Sequence, residues 1–170
     1  MADTFIKIAT VTVGTATSSI DFTSIPDTYT DLVIKLSLRT NKSSGSSDSV
    51  FLRMNGDTSS SYSYRYLSGS GSAVSSASAG DQWCYLGDTD ITSSTANTFG
   101  SADVYIPNYA GSSYKSVYTD ITMEANATLA YATLSGSLWR QTSAITSLSI
   151  ITTAQWVQYS TATLYGIKNS

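Results

Sequence analysis

The residues able to do chemistry in this chain are few and poorly matched to one another. There is no histidine, one cysteine and one glutamate in 170 residues. Acid–base, metal and nucleophilic chemistry near neutral pH leans on His, Cys and paired carboxylates. Serines abound, but a Ser-His-Asp arrangement is impossible, and no Ser-x-x-Lys stands near a second lysine. Cys84 has no histidine partner, so it reads as a small buried hydrophobe on a strand. One cysteine cannot build a disulfide framework within the chain.

The remaining motifs fail on spacing. Asp120 and Glu124 share one face of an expected strand, roughly 13 Å apart at about 3.3 Å per residue. Two-carboxylate glycoside hydrolysis needs about 5 to 9.5 Å, so a hydrolase would require a cross-strand pair. Asp88-Thr89-Asp90 follows Gly87 and could hold a hard cation, but it lacks the spaced acids and closing Glu of a calcium loop. It reads as a turn in which the Asp side chains bond local amides. The run at 69–80 lacks the Gly-Lys-Ser/Thr and Gly-x-Gly-x-x-Gly patterns of phosphate loops. No cofactor or metal is implied.

The aromatics carry what signal is left. Tyr62, Tyr64 and Tyr66 alternate along one segment, and Trp83 follows the long Ser/Gly stretch. Exposed tyrosine and tryptophan suit sugar stacking and protein interfaces, because they give rigid contact area with a polar tip. Tyr62, Tyr64, Tyr66 and Trp83 are therefore the stacking or interface candidates, with Asp88 and Asp90 as polar partners. The competing reading places most of these rings in the core.

The elements that must position these residues follow from a period of two. Leu32, Ile34, Leu36 and Leu38 alternate with Val33, Lys35, Ser37 and Arg39, the pattern of a strand with two unlike faces. Phe5 to Val13 and Val50 to Met54 read as strands, the latter ending at the turn dipeptide Asn55-Gly56. Further strands are expected over Tyr62–Tyr66, Trp83–Leu86, Ala102–Ile106, Tyr114–Glu124, Leu129–Arg140 (one long strand, or a strand with a kink where Gly136 interrupts it), Ile145–Thr152 and Thr161–Lys168. No window shows helical spacing with caps and good helix formers. Ser68–Gly80 has the composition of a flexible linker and is expected to be a long exposed loop. Asn41–Asp48 is expected to be a second.

Composition agrees with one β domain over residues 1–170. Charged residues are 12% of the chain, about half the usual share. Apolar residues are 41% and aromatics 11%, which excludes simple disorder. The nine basic residues are scattered and the net charge is −3, so no nucleic-acid surface is expected. No apolar run reaches membrane-spanning length, and the opening residues do not read as a secretion signal. The Asn41-Lys42-Ser43 and Asn126-Ala127-Thr128 sequons then read as chance matches.

Several stretches resemble a family of small virion proteins of tailed, marine-type bacteriophages. Ile8-Ala9-Thr10-Val11-Thr12-Val13-Gly14 looks like its first strand. Phe22-Thr23-Ser24-Ile25-Pro26-Asp27-Thr28-Tyr29-Thr30-Asp31-Leu32 looks like its link into the next. Leu52-Arg53-Met54-Asn55-Gly56-Asp57-Thr58 with Tyr62-Ser63-Tyr64 resembles its hairpin. Ser94-Thr95-Ala96-Asn97-Thr98-Phe99-Gly100, Ser137-Leu138-Trp139 and Thr163-Leu164-Tyr165-Gly166-Ile167-Lys168 resemble later landmarks.

The resemblance implies a jelly roll and a structural role on phage heads or fibres. The expectation is an all-β, jelly-roll-like sandwich of two antiparallel sheets with roughly ten strands. It would be a non-enzymatic virion protein, a capsid decoration or head-fibre component assembled in the host cytoplasm. It would work as a symmetric homo-oligomer, a trimer, against other capsid or fibre proteins. The alternative is a carbohydrate-binding module of a tail fibre that recognises a cell-surface glycan. A glycan hydrolase comes third. No catalytic residue carries over from the resemblance.

Overall fold

The computed structural model describes residues 4–126 and 130–168. Parts of the Asn126-Ala127-Thr128 sequon, and Leu129 at the head of the expected 129–140 strand, lie outside the described residues. The described residues contain twelve strands and no helix. They are β1 (Phe5–Thr12), β2 (Thr17–Phe22), β3 (Asp31–Leu38), β4 (Asp48–Met54), β5 (Tyr62–Gly69) and β6 (Val74–Asp81). The rest are β7 (Cys84–Thr89), β8 (Gly100–Ile106), β9 (Lys115–Met123), β10 (Tyr131–Trp139), β11 (Leu148–Trp156) and β12 (Thr161–Ile167).

An eight-stranded sheet runs β1-β12-β3-β8-β9-β10-β5-β6, and a four-stranded sheet runs β2-β11-β4-β7. Strands pair from the ends inward: β1 with β12, β2 with β11, β3 with β8, and β4 with β7, all antiparallel. That is one long antiparallel ribbon wrapped round a core, the jelly-roll winding. Two hairpins are inserted into it. β5–β6 interrupts the step from β4 to β7, and β9–β10 the step from β8 to β11. Both join the large sheet beyond β8, so that sheet extends past the small one.

The core lies between the sheets and follows the alternation. Leu32, Ile34, Leu36 and Leu38 of β3 are buried, as are Val50, Leu52 and Met54 of β4 and Val117, Ile121 and Met123 of β9. Trp139 and Trp156 are the largest buried side chains. Cys84 is buried, and burial pushes its thiol up to about 12.

Two expectations need correction, and two are made more definite. The described residues form twelve strands, slightly above the roughly ten expected; β2 is hydroxyl-rich, and only Ile20 and Phe22 mark its buried face. The stretch 68–80 is no loop: it is the end of β5, a tight turn and β6. Gly71 has φ of 82°, and the Ser70 N–H donates to the Ala73 carbonyl. Gly71-Ser72 is thus a two-residue hairpin turn with glycine first, a geometry glycine alone adopts freely. Of the two readings of the stretch around Gly136, the long strand is the one found: β10 keeps continuous register with both β5 and β9. Asp88-Thr89 does not form a turn; both residues belong to β7, and Asp90 bridges to Arg39.

Candidate functional site

The site is built where the edge of the small sheet meets the overhang of the large one. On β4, Val50, Leu52 and Met54 point into the core, so Ser49, Phe51 and Arg53 must point out. The neighbouring β7 carries Tyr85 opposite Phe51 and Asp88 opposite Ser49. Strict alternation would place Tyr85 and Asp88 on opposite faces, since they are three residues apart. A bulge prevents this: Val50 pairs with Gly87 and Phe51 with Tyr85, leaving Leu86 as the extra residue. Gly87 makes the bulge possible. Its φ is 135°, and a Cβ there would stand 2.1 Å from the Ile121 side chain.

The bulge lets the Tyr85 hydroxyl donate to Asp88 Oδ2 at 3.1 Å, while the Ser49 hydroxyl donates to Oδ1 at 3.0 Å. Burial raises the Asp88 carboxyl above its ordinary value, and these two hydrogen bonds oppose the rise. Burial raises the Tyr85 phenol, and the adjacent Asp88 adds to it.

The rings gather around Tyr85. Tyr64 and Tyr66 reach it from the inner face of β5, with centroids at 5.4 and 5.0 Å. Phe51 lies 6.1 Å from Tyr85 and 4.8 Å from Trp83. The Arg53 guanidinium sits 5.8 Å over the Trp83 ring. Trp83 Nε1 and Arg53 Nε are buried and have no hydrogen-bond partner. The result is a half-buried aromatic shelf with a guanidinium at one end and a carboxylate at the other. Arg53 stands four positions along β4 from Ser49, about 13 Å, the span of two or three sugar rings.

Four of the six candidates named from the sequence come together here: Tyr64, Tyr66, Trp83 and Asp88. Two do not. Tyr62 is buried, stacked on Trp139 at 6.2 Å, and its hydroxyl accepts from the Met54 N–H at 3.1 Å. It is a core residue because β5 enters the sandwich at that end. Asp90 is also fully buried, away from the shelf, and neither carboxylate oxygen has a hydrogen-bond partner. Phe51, Arg53, Tyr85 and Ser49 were missed. The alternation of Ser49, Phe51 and Arg53 against a buried Val50, Leu52 and Met54 was the available signal. Tyr85 needed the bulge to be known.

A second surface is the outer face of the large sheet. Leu67 and Leu134 stand opposite one another, and Tyr118 lies diagonal to Leu134. They are 51%, 46% and 48% exposed, a contiguous apolar patch on an otherwise hydroxyl-rich face. On the same face Asp103 and Asp120 pair directly across β8 and β9. This is the cross-strand carboxylate pair that sequence spacing could not reveal. Asp103 is held by Lys35 at 2.5 Å. The depression around the pair is lined by Ser101, Ala102, Asp103, Asp120 and Thr122 alone. All five come from two adjacent strands, so there is a floor but no wall to grip and distort a sugar ring. Among the described residues no group of three or more metal-ligating side chains converges.

Comparison with protein-family models, with curated proteins and with solved structures finds no match to this chain.

Proposed function

We propose that this chain is a non-enzymatic structural protein of a tailed-phage particle, a capsid decoration or head-fibre component. It acts as a symmetric oligomer through its sheet surfaces. The observation that carries this reading is the bare outer face of the eight-stranded sheet. It presents hydroxyls and the Tyr118, Leu134 and Leu67 patch rather than a walled cleft. An exposed apolar patch rimmed by polar residues fits a protein contact. The jelly-roll winding and the sequence resemblance point the same way. The test is a map of the intact particle, with the copies of this chain located and counted. Absence of the chain from purified particles overturns the proposal.

The aromatic shelf favours a second reading, carbohydrate binding at an exposed tip. Tyr64, Tyr66 and Trp83 supply stacking faces, and Asp88 and Arg53 supply polar groups for sugar hydroxyls or a sugar carboxylate. Glycan-array binding that disappears in Tyr64→Ala and weakens in Asp88→Asn supports it. A blank array for the wild-type chain ends it.

A further inference from the structure

The two sheets have four edge strands, and three are guarded. β1 carries Lys7 and a bulge between Lys7 and Ala9. β2 is six residues long, carries the exposed Asp21, and loses register with β11 beyond Ser19. β7 is bulged at Gly87, and the rings of Tyr64 and Tyr66 lie against its flank. Charges, bulges, short length and covering are the devices that keep an edge from pairing with another chain.

β6 has none of them. It reads Val74-Ser75-Ser76-Ala77-Ser78-Ala79-Gly80-Asp81, eight residues with one charge, at the end. Its register with β5 is unbroken from Gly69↔Val74 to Tyr62↔Asp81. Val74 is 75% exposed, and every residue up to Gly80 is exposed. Neither face of this strand is buried, and Ser, Ala and Gly add little or nothing to strand stability. Among the described residues, its far side pairs with no strand.

The hairpin fixes which backbone groups face outward. Ser70 and Ala73 form the hydrogen-bonded pair at the turn. Antiparallel pairs alternate from there, so Val74, Ser76, Ser78 and Gly80 direct their N–H and C=O groups away from β5. Antiparallel addition of another strand must pair outward residues with outward residues.

We propose that β6 is the edge at which a second copy of this chain adds across a two-fold axis. The axis passes midway between Ala77 of one copy and Ala77 of the other and joins two eight-stranded sheets into one. Ser76 then pairs with Ser78 of the second copy, and Val74 with Gly80. That register is the one that pairs all four outward residues, and it keeps the two Asp81 carboxylates at opposite ends. The small side chains let two backbones approach to the usual strand spacing of about 4.8 Å. They also offer no pockets to select a foreign peptide, which strand-addition partners need for specificity. A self-complementary contact closes with two copies, so it gives a dimer and not a trimer. The overhang carries β6 clear of the small sheet, which leaves the approach open. This gives the proposed oligomer a specific contact, yet it is tested on the isolated chain and stands or falls apart from any place on a particle.

The experiment is analytical ultracentrifugation of the full chain over a concentration series, with hydrogen exchange read at β6. The wild type approaches twice the 18.0 kDa chain mass, and the Ser76 and Ser78 amides slow as the dimer fills. Ser78→Pro removes one outward donor without touching the bonds to β5, and it sediments as a monomer. Ser78→Lys keeps the donor, guards the edge with charge, and also sediments as a monomer. A wild-type monomer at every concentration overturns the proposal. So does a trimeric mass, or a dimer kept by both variants.

Discussion

Asp57 ties the β4–β5 turn to the far strand β10, and its removal can be sized from its contacts. The carboxylate accepts from the Ser59 N–H at 2.8 Å, the Ser59 hydroxyl at 2.6 Å, the Ser61 hydroxyl at 2.6 Å and Trp139 Nε1 at 2.8 Å. Ser59 and Ser61 re-solvate when the acceptor is lost, so each of their bonds is worth about 0.5 kcal/mol. Trp139 is 1% exposed. Stranding its buried N–H costs about 1–3 kcal/mol. Asp57→Ala should therefore destabilise the chain by about 2.5–4.5 kcal/mol at neutral pH, and Asp57→Asn, which keeps an acceptor, by about 1–2 kcal/mol.

The pH dependence has a definite sign. Burial alone raises the Asp57 carboxyl, but the bonds from Ser59, Ser61 and Trp139 outweigh it and hold the group well below the ordinary 3.8. A depressed folded value gives stability that is complete above the unfolded value and fades as pH falls below it. Urea unfolding of the wild type and Asp57→Asn at neutral pH, and again well below the ordinary carboxylate value, is the assay. The gap between them should narrow in acid. A gap that stays constant across that range refutes the reasoning, because the stabilisation would then not come from the charged carboxylate.

Gly87→Ala drives a Cβ to 2.1 Å from Ile121 at a φ of 135°, and should cost about 3 kcal/mol or more by urea unfolding. The same variant should unseat the Tyr85–Asp88 hydrogen bond, seen as a changed tyrosine fluorescence or near-ultraviolet dichroism. Asp90 is fully buried and neither carboxylate oxygen has a hydrogen-bond partner, so Asp90→Leu, which removes the unmet polar atoms at similar volume, should stabilise the chain by about 1–3 kcal/mol in thermal unfolding; a loss of stability would mean that the carboxyl group itself is needed there. Cys84, with its thiol pushed up to about 12 by burial, should resist alkylation in the native chain at every pH below that and react once the chain is unfolded, as mass spectrometry can read.

Much of this protein was written into its local pattern. Alternation in β3, β4 and β9 marked which residues are buried, because side chains two apart share a face whatever the strand pairs with. The missing histidine and the lone buried thiol were equally legible, since composition needs no fold. The jelly-roll-like sandwich was expected from the sequence through resemblance rather than through periodicity, while the pairing order of the strands came only with the structure. The aromatic shelf was half visible, as Tyr64, Tyr66, Trp83 and Asp88. What only the tertiary structure decided is who shares a face after a break in period. One extra residue before Gly87 turns Asp88 toward Tyr85, and the inserted β5 brings Tyr64 and Tyr66 across from another sheet. Likewise Ser, Ala and Gly at 74–80 became a strand because β5 offers a complete row of backbone partners, a long-range gain that no local propensity records.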